Sequence, residues 1–106
     1  IPNNTVWGGQ CECTAIVKTA GTGTSVGDHK FYQGRFAIKN ISGSTSVQFI
    51  DTTDGLLDSP SFTSSSFSLL ADNTNNALTI LINNIPGSAT SLTHITCTVH
   101  ITETGY

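Results

Sequence analysis

The sequence has no methionine, a single tryptophan, three prolines and few charges: four Lys or Arg and seven Asp or Glu, 10 % of 106 residues, for a net charge of −3. Four basic side chains cannot build the stripe needed to neutralise several phosphates, which argues against nucleic acid as a partner. No apolar run approaches the roughly 20 residues of a membrane-spanning helix, so membrane insertion is not expected. A signal-peptide pattern and an initiating Met are also missing, and the chain reads as a processed piece of a longer protein. Catalytic signatures are lacking as well. There is no G-x-S-x-G elbow, no H-E-x-x-H and no phosphate loop, and Ser is so abundant that a triad could be drawn anywhere. The expectation is a protein that is not an enzyme, with no catalytic residues, cofactor or metal.

What the sequence has in quantity is hydroxyl. Ser and Thr number 29, so solubility rests on hydroxyls and amides more than on ions. Ile, Val, Leu and Phe are frequent enough for a packed core, and the length fits one domain covering residues 1–106. Such a domain leaves roughly a third of its chain surface unburied, which a partner or an oligomer would help to cover. Of the three cysteines, Cys11 and Cys13 point to the same face of one strand with parallel side chains, a poor geometry for a bond. The favoured reading is three reduced, buried thiols acting as small hydrophobes; a disulfide from Cys97 to either Cys11 or Cys13 is the alternative.

No segment sustains a helical period, whereas period-two alternation recurs, so the chain reads as all-β. Residues 6–18 place Trp7, Cys11, Cys13, Ala15 and Val17 on one face, with Gly8 and Gly9 marking a bulge or a close backbone approach. Tyr32, Gly34, Phe36 and Ile38 alternate in a second strand, 45–50 form a third, and Phe67, Leu69 and Ala71 line a fourth over 64–71. Leu78, Ile80 and Ile82 face one way in a fifth, where Leu81 breaks the pattern and can face a second layer. The cleanest alternation runs over 92–102, with Ile95, Cys97, Val99 and Ile101 on one side and His94, Thr96, Thr98, His100 and Thr102 on the other. Between them lie the loops 19–30, 51–60, 72–77 and 83–91, rich in Gly, Asn, Asp and Ser. Six to eight short strands with regular turns indicate an antiparallel β-sandwich, jelly-roll-like.

Several side chains invite a chemical reading. Cys97 lies on the face opposite His94 and His100, and the two histidines are about 20 Å apart along a strand, so the three cannot share a zinc ion. The same histidines at a subunit interface would form a pH-sensitive stripe; the plainer alternative is a solvated Thr and His face. Asp51, Asp54 and Asp58 do not match a calcium loop and read as an acidic turn. Trp7, Phe31, Tyr32 and Tyr106 are candidates for a sugar-stacking surface. Asn3-Asn4-Thr5 and Asn40-Ile41-Ser42 match the glycosylation sequon, as chance allows in so Asn-, Ser- and Thr-rich a chain.

The segment 71–80, ADNTNNALTI, resembles a pattern near the C-terminal ends of phage tail fibres and other tailed-virus structural proteins, in which A-D-x-T-N-x-A-L-x-I leads into a strand and a final strand follows. Ile1 to Trp7 is similar to the opening strand entry of that family, Ala15 to Thr19 to its V-A-R-R-T segment, YQGRFAI at 32–38 to its second strand, and VHITE at 99–103 to its closing V-x-T-x-E. The chain departs from the pattern at 93–97, where THITC stands in place of an Arg-Trp pair, and Lys18 alone remains of a basic pair. The resemblance implies a noncatalytic virion domain at a fibre or spike tip, forming a homotrimer and presenting a surface to a host glycan or protein receptor. On that reading His29, Tyr32, Asp54 and Asp58 are candidate contacts and His94 and His100 candidate interface residues. The alternative is a monomeric carbohydrate-binding module of a larger enzyme.

Overall fold

The computed structural model describes residues 1–55 and 57–105. Six strands follow in order: β1 (Thr5–Thr19), β2 (His29–Ile41), β3 (Ser44–Asp54), β4 (Ser66–Asp72), β5 (Ala77–Asn83) and β6 (Leu92–Gly105), with one 3₁₀ turn, Pro60–Phe62, before β4. The fold is all-β, with every pairing antiparallel, and sandwich-like in its two layers. One layer is a four-stranded sheet in the order β3-β2-β1-β6, and the other is the β4-β5 hairpin. The return of β6 to lie beside β1, after a three-strand meander, is a Greek-key connection, the unit from which jelly rolls are assembled.

The period-two alternation decides which side chains meet the hairpin. Cys11, Cys13, Ala15 and Val17 of β1 and Tyr32, Phe36 and Ile38 of β2 are buried on one face, and Phe67 and Leu69 of β4 close over Cys11, Cys13 and the three β2 side chains. Tyr32 stacks on Phe67 with ring centroids 5.2 Å apart. Gly34 leaves room for that ring, since a Cβ there would stand 2.7 Å from the Tyr32 hydroxyl. Leu78, Ile80 and Ile82 of β5 pack against the same cluster, while Leu81 points outward and is exposed. Farther along β1, Ala15 and Val17 form a second small core with Phe62 of the 3₁₀ turn.

Gly9 answers the question posed by the Gly8-Gly9 pair: a Cβ at this position would collide with the carbonyl oxygen of His100, so it marks a close approach of β6 to β1. The register irregularity of β1 lies instead between Val17 and Thr19. The β2–β3 reversal uses two left-handed residues, Ser42 at φ 53° and Gly43 at φ 80°, as a two-residue hairpin loop requires. Asn3 and Asn4 accept hydrogen bonds from the amides of Gly43 and Ser42 at 2.9 and 3.2 Å.

The polar run 72–76 is the β4–β5 turn and also a latch. The Asp72 carboxylate accepts from the amides of Thr74 and Asn75 and from the Asn75 side chain, which holds its pKa below the ordinary value. Asn76 takes a left-handed conformation, φ 52°. Asn73 Oδ1 and Asn76 Oδ1 accept from the amide and hydroxyl of the buried Thr45 at 2.7 and 2.8 Å, which fixes the hairpin to the start of β3.

The cysteines correct the expectation of three free thiols. Cys13 and Cys97 are direct partners in the β1–β6 register and form a disulfide, while Cys11 remains a free, buried thiol. Same-face geometry within β1 was right to keep Cys11 from Cys13; the alignment of β6 selects which of them Cys97 reaches. Burial pushes the Cys11 thiol above its ordinary pKa, which removes the reactive thiolate. Replacing Cys13 and Cys97 by Ser is expected to lower stability by about 2–4 kcal/mol, given the long loop that the bond closes, as measured by urea unfolding. An alkylating reagent is expected to label Cys11 only after the protein unfolds.

Candidate functional site

Three surfaces carry the polar and apolar groups that the fold leaves unabsorbed by the core. The first is the end of the sheet where β2 begins. Register pairs Tyr32 with Asp54, and the connection after β3 brings Asp58 alongside, so three of the four residues predicted as contacts stand close together. The group that gathers them is Lys30. Its Nζ lies 2.5 Å from Asp54 Oδ1 and 2.6 Å from Asp58 Oδ2, with side chains 1 %, 22 % and 7 % exposed for Lys30, Asp54 and Asp58. The other carboxylate oxygens are held by backbone amides: Phe67 N–H donates to Asp54 at 3.1 Å and Phe31 N–H to Asp58 at 3.4 Å. His29, the fourth predicted residue, exchanges backbone and side-chain bonds with Ser59.

This geometry corrects the contact reading of two residues. Asp58 is turned inward to a buried ammonium, and Tyr32 is fully buried. The Tyr32 hydroxyl has no hydrogen-bond partner among the described residues, and burial, together with Cys11 and Asp54, pushes its pKa up to about 12. A ring so placed cannot stack on a sugar. Of the other aromatics proposed for that role, Trp7 is half-buried against the core and donates from Nε1 to Glu103 at 2.9 Å, Phe31 is half-buried, and Tyr106 lies outside the described residues.

The second surface is the outer face of the four-stranded sheet. His94 and His100 are exposed there, with Ile16 and Gln10 of β1 as register partners. Cys97 is on the inner face, as parity requires. Gln10 and His100, with Gly9, Ile101, Thr102 and Arg35, line a shallow depression of about 330 Å³. A second, of about 220 Å³, lies between Gln33, Arg35, Asp51 and Thr53. Arg35 stands between the two and is ion-paired with Asp51, while Gln33 donates to Glu12 at 3.3 Å. Alternating donors and acceptors on a flat face can hydrogen-bond a polyol. Sequence reading missed Arg35 and Gln10 because each looks like an ordinary outward strand residue; their assembly depends on the β3-β2-β1-β6 order.

The third surface is apolar. Ile95, Val99 and Ile101 share the inner face of β6, as their alternation predicts, yet they are 37 %, 38 % and 43 % exposed. The hairpin lies over β3 and β2, and none of the three belongs to the core cluster. No group of three His, Cys, Asp or Glu able to hold a metal forms among the described residues.

No family model, curated protein or solved structure matches this chain.

Tyr32 gives a test of the buried site. Its folded pKa of about 12 exceeds the ordinary 10.0, so the neutral ring's advantage is complete below pH 10 and is lost as pH rises toward 12. Tyr32→Phe removes an unpaired buried hydroxyl, whose cost is about 1–3 kcal/mol. The variant is expected to be at least as stable as the parent at pH 7 and to lose less stability between pH 10 and 12, as read by denaturant titrations across that range.

Proposed function

We propose that this chain is a noncatalytic building block of a virion fibre or spike, which buries the inner face of β6 against other copies of itself as a homotrimer. The observation that carries the reading is the row Ile95, Val99 and Ile101, apolar and exposed on a strand whose outer edge has no strand partner among the described residues. A small domain gains stability by covering such a row. Three copies around a closed axis would also remove open strand edges, which otherwise invite uncontrolled pairing. The low charge of the chain favours close approach of copies. The Cys13–Cys97 bond suits an oxidising, extracellular setting such as a particle surface. The resemblance of 71–80 to tail-fibre sequences points the same way.

In this arrangement the outer sheet face is free to meet a host-surface glycan or protein receptor, with Arg35, Gln10 and His100 as the polar groups around its larger depression. The same depressions favour a second reading, a monomeric carbohydrate-binding module. Size-exclusion chromatography with light scattering separates the two. A trimer is expected at micromolar concentration, and Val99→Glu, which places a charge in the middle of the apolar row, is expected to yield folded monomer. A wild-type monomer at every concentration would overturn the assembly reading.

A further inference from the structure

We infer that Lys30 and Asp54 form an intramolecular amide cross-link, with Asp58 as the proton carrier. The inference is independent of the assembly reading. It starts from placement: Lys30 has inner-face parity with Tyr32 and Phe36 and lies opposite Ala15 of β1, so its side chain is 1 % exposed at the end of an apolar layer. Buried lysines need carboxylate partners, and this one has two, at 2.5 and 2.6 Å. One carboxylate would satisfy the charge; the second supplies an acid within reach of both reacting groups.

The roles follow from the hydrogen bonds. Asp54 Oδ2 accepts from Phe67 N–H at 3.1 Å, a preorganised donor for the negative charge that develops when an amine attacks Cγ. Its side chain is 22 % exposed, which gives water a way out, whereas Asp58, 7 % exposed, sits deeper against Nζ. The Lys30 ammonium gives one proton to Asp58 Oδ2. The freed amine attacks Cγ of Asp54 and forms the N–C bond. Asp58 returns its proton, and the nitrogen releases a second one, to Oδ1 of Asp54, whose C–O bond breaks as water leaves. The three ammonium hydrogens become one amide N–H and the two of water, Asp58 ends as the carboxylate it was, and nothing is oxidised or reduced.

Proximity drives the condensation. Burial opposes the charged ammonium while the two carboxylates hold it charged, with its pKa raised on balance; the reaction replaces the Lys30–Asp54 ion pair by a neutral amide and leaves the Asp58 carboxylate beside the new amide N–H, which can donate to it. Holding both groups in one geometry substitutes for effective concentrations on the order of 10⁵ M or more. The product would join the start of β2 to the end of β3, at a different place from the β1–β6 disulfide.

The test is the intact mass of the folded, disulfide-reduced protein. The expected mass is one water below that of the sequence, with a branched peptide joining Lys30 to Asp54 after proteolysis. Full mass is expected in Lys30→Arg, which keeps the charge but not the nucleophile, and in Asp58→Asn, which keeps the shape but cannot carry the proton. Closure of Asp54 onto the Gly55 amide also removes one water, so a loss that persists in Lys30→Arg overturns the proposal. Full sequence mass in wild-type protein that is folded by circular dichroism and has been incubated for days overturns it as well.

Discussion

A two-stranded hairpin cannot cover a four-stranded sheet. Strands in a sheet lie about 4.8 Å apart, so the β4-β5 layer reaches over roughly half of the β3-β2-β1-β6 layer, and the chain has to deal differently with each part of the inner face. Beneath the hairpin, β2 and the middle of β1 carry Tyr32, Phe36, Ile38 and Cys11, which Phe67 and Leu69 close over. Beyond one end, the 3₁₀ turn lays Phe62 on Ala15 and Val17. Beyond the flank, the apolar row of β6 has no layer above it among the described residues. The uncovered row of Ile95, Val99 and Ile101 follows from this mismatch in width, whereas the buried lysine and the amide latch of the β4–β5 turn stand where the cover ends along the strands.

The two ends of the β2 inner face show how polar groups are used where the apolar cover runs out. At one end Lys30 is neutralised by two aspartates. At the other, the buried Asn40 donates to the Ile1 carbonyl at 2.9 Å, and its neighbour Thr45 is satisfied by Asn73 and Asn76. Buried polar groups with partners specify one arrangement, because a shifted register would strand them. The many Asn, Ser and Thr residues are therefore more than a solvated surface: those in 72–76 and at Asn3 and Asn4 fix how the hairpin and the β2–β3 turn sit.

What could be read from the residues divides along physical lines. Alternation told which side chains share a face, and every strand was legible from it, with ends displaced by a few residues where loops such as 19–30 turned out to contribute His29 and Lys30 to β2. Alternation does not tell whether a layer lies on that face. Hence Ile95, Val99 and Ile101 were placed together and yet are exposed. The pairing of Cys97 was illegible for a related reason: a slide of β6 by two residues keeps every parity and exchanges Cys13 for Cys11. Lys30 could have been found, since a lysine in phase with Tyr32, Gly34 and Phe36 points inward and demands carboxylates, and Asp54 and Asp58 were already in view as an acidic turn. Arg35 and Gln10 could not, because no local pattern distinguishes a solvated strand residue from one beside a depression.

The flank strand raises a question of mechanics that the disulfide resolves. Without a covering layer, β6 is held by its ladder to β1, and Gly9 makes that approach tight. The Cys13–Cys97 bond fixes the register in the middle of the strand, so Val99 and Ile101 on one side of it and Ile95 on the other keep fixed spacings even while exposed. A rigid apolar row loses less conformational freedom on association than a mobile one, and preorganisation of this kind turns a modest contact area into useful affinity. The same bond limits exchange of β6 between copies, because a strand anchored to its own β1 cannot easily leave to complete a neighbour. In the proposed assembly, contact between copies across the inner face would then be favoured over strand swapping, and folded units would associate with their sheet order intact.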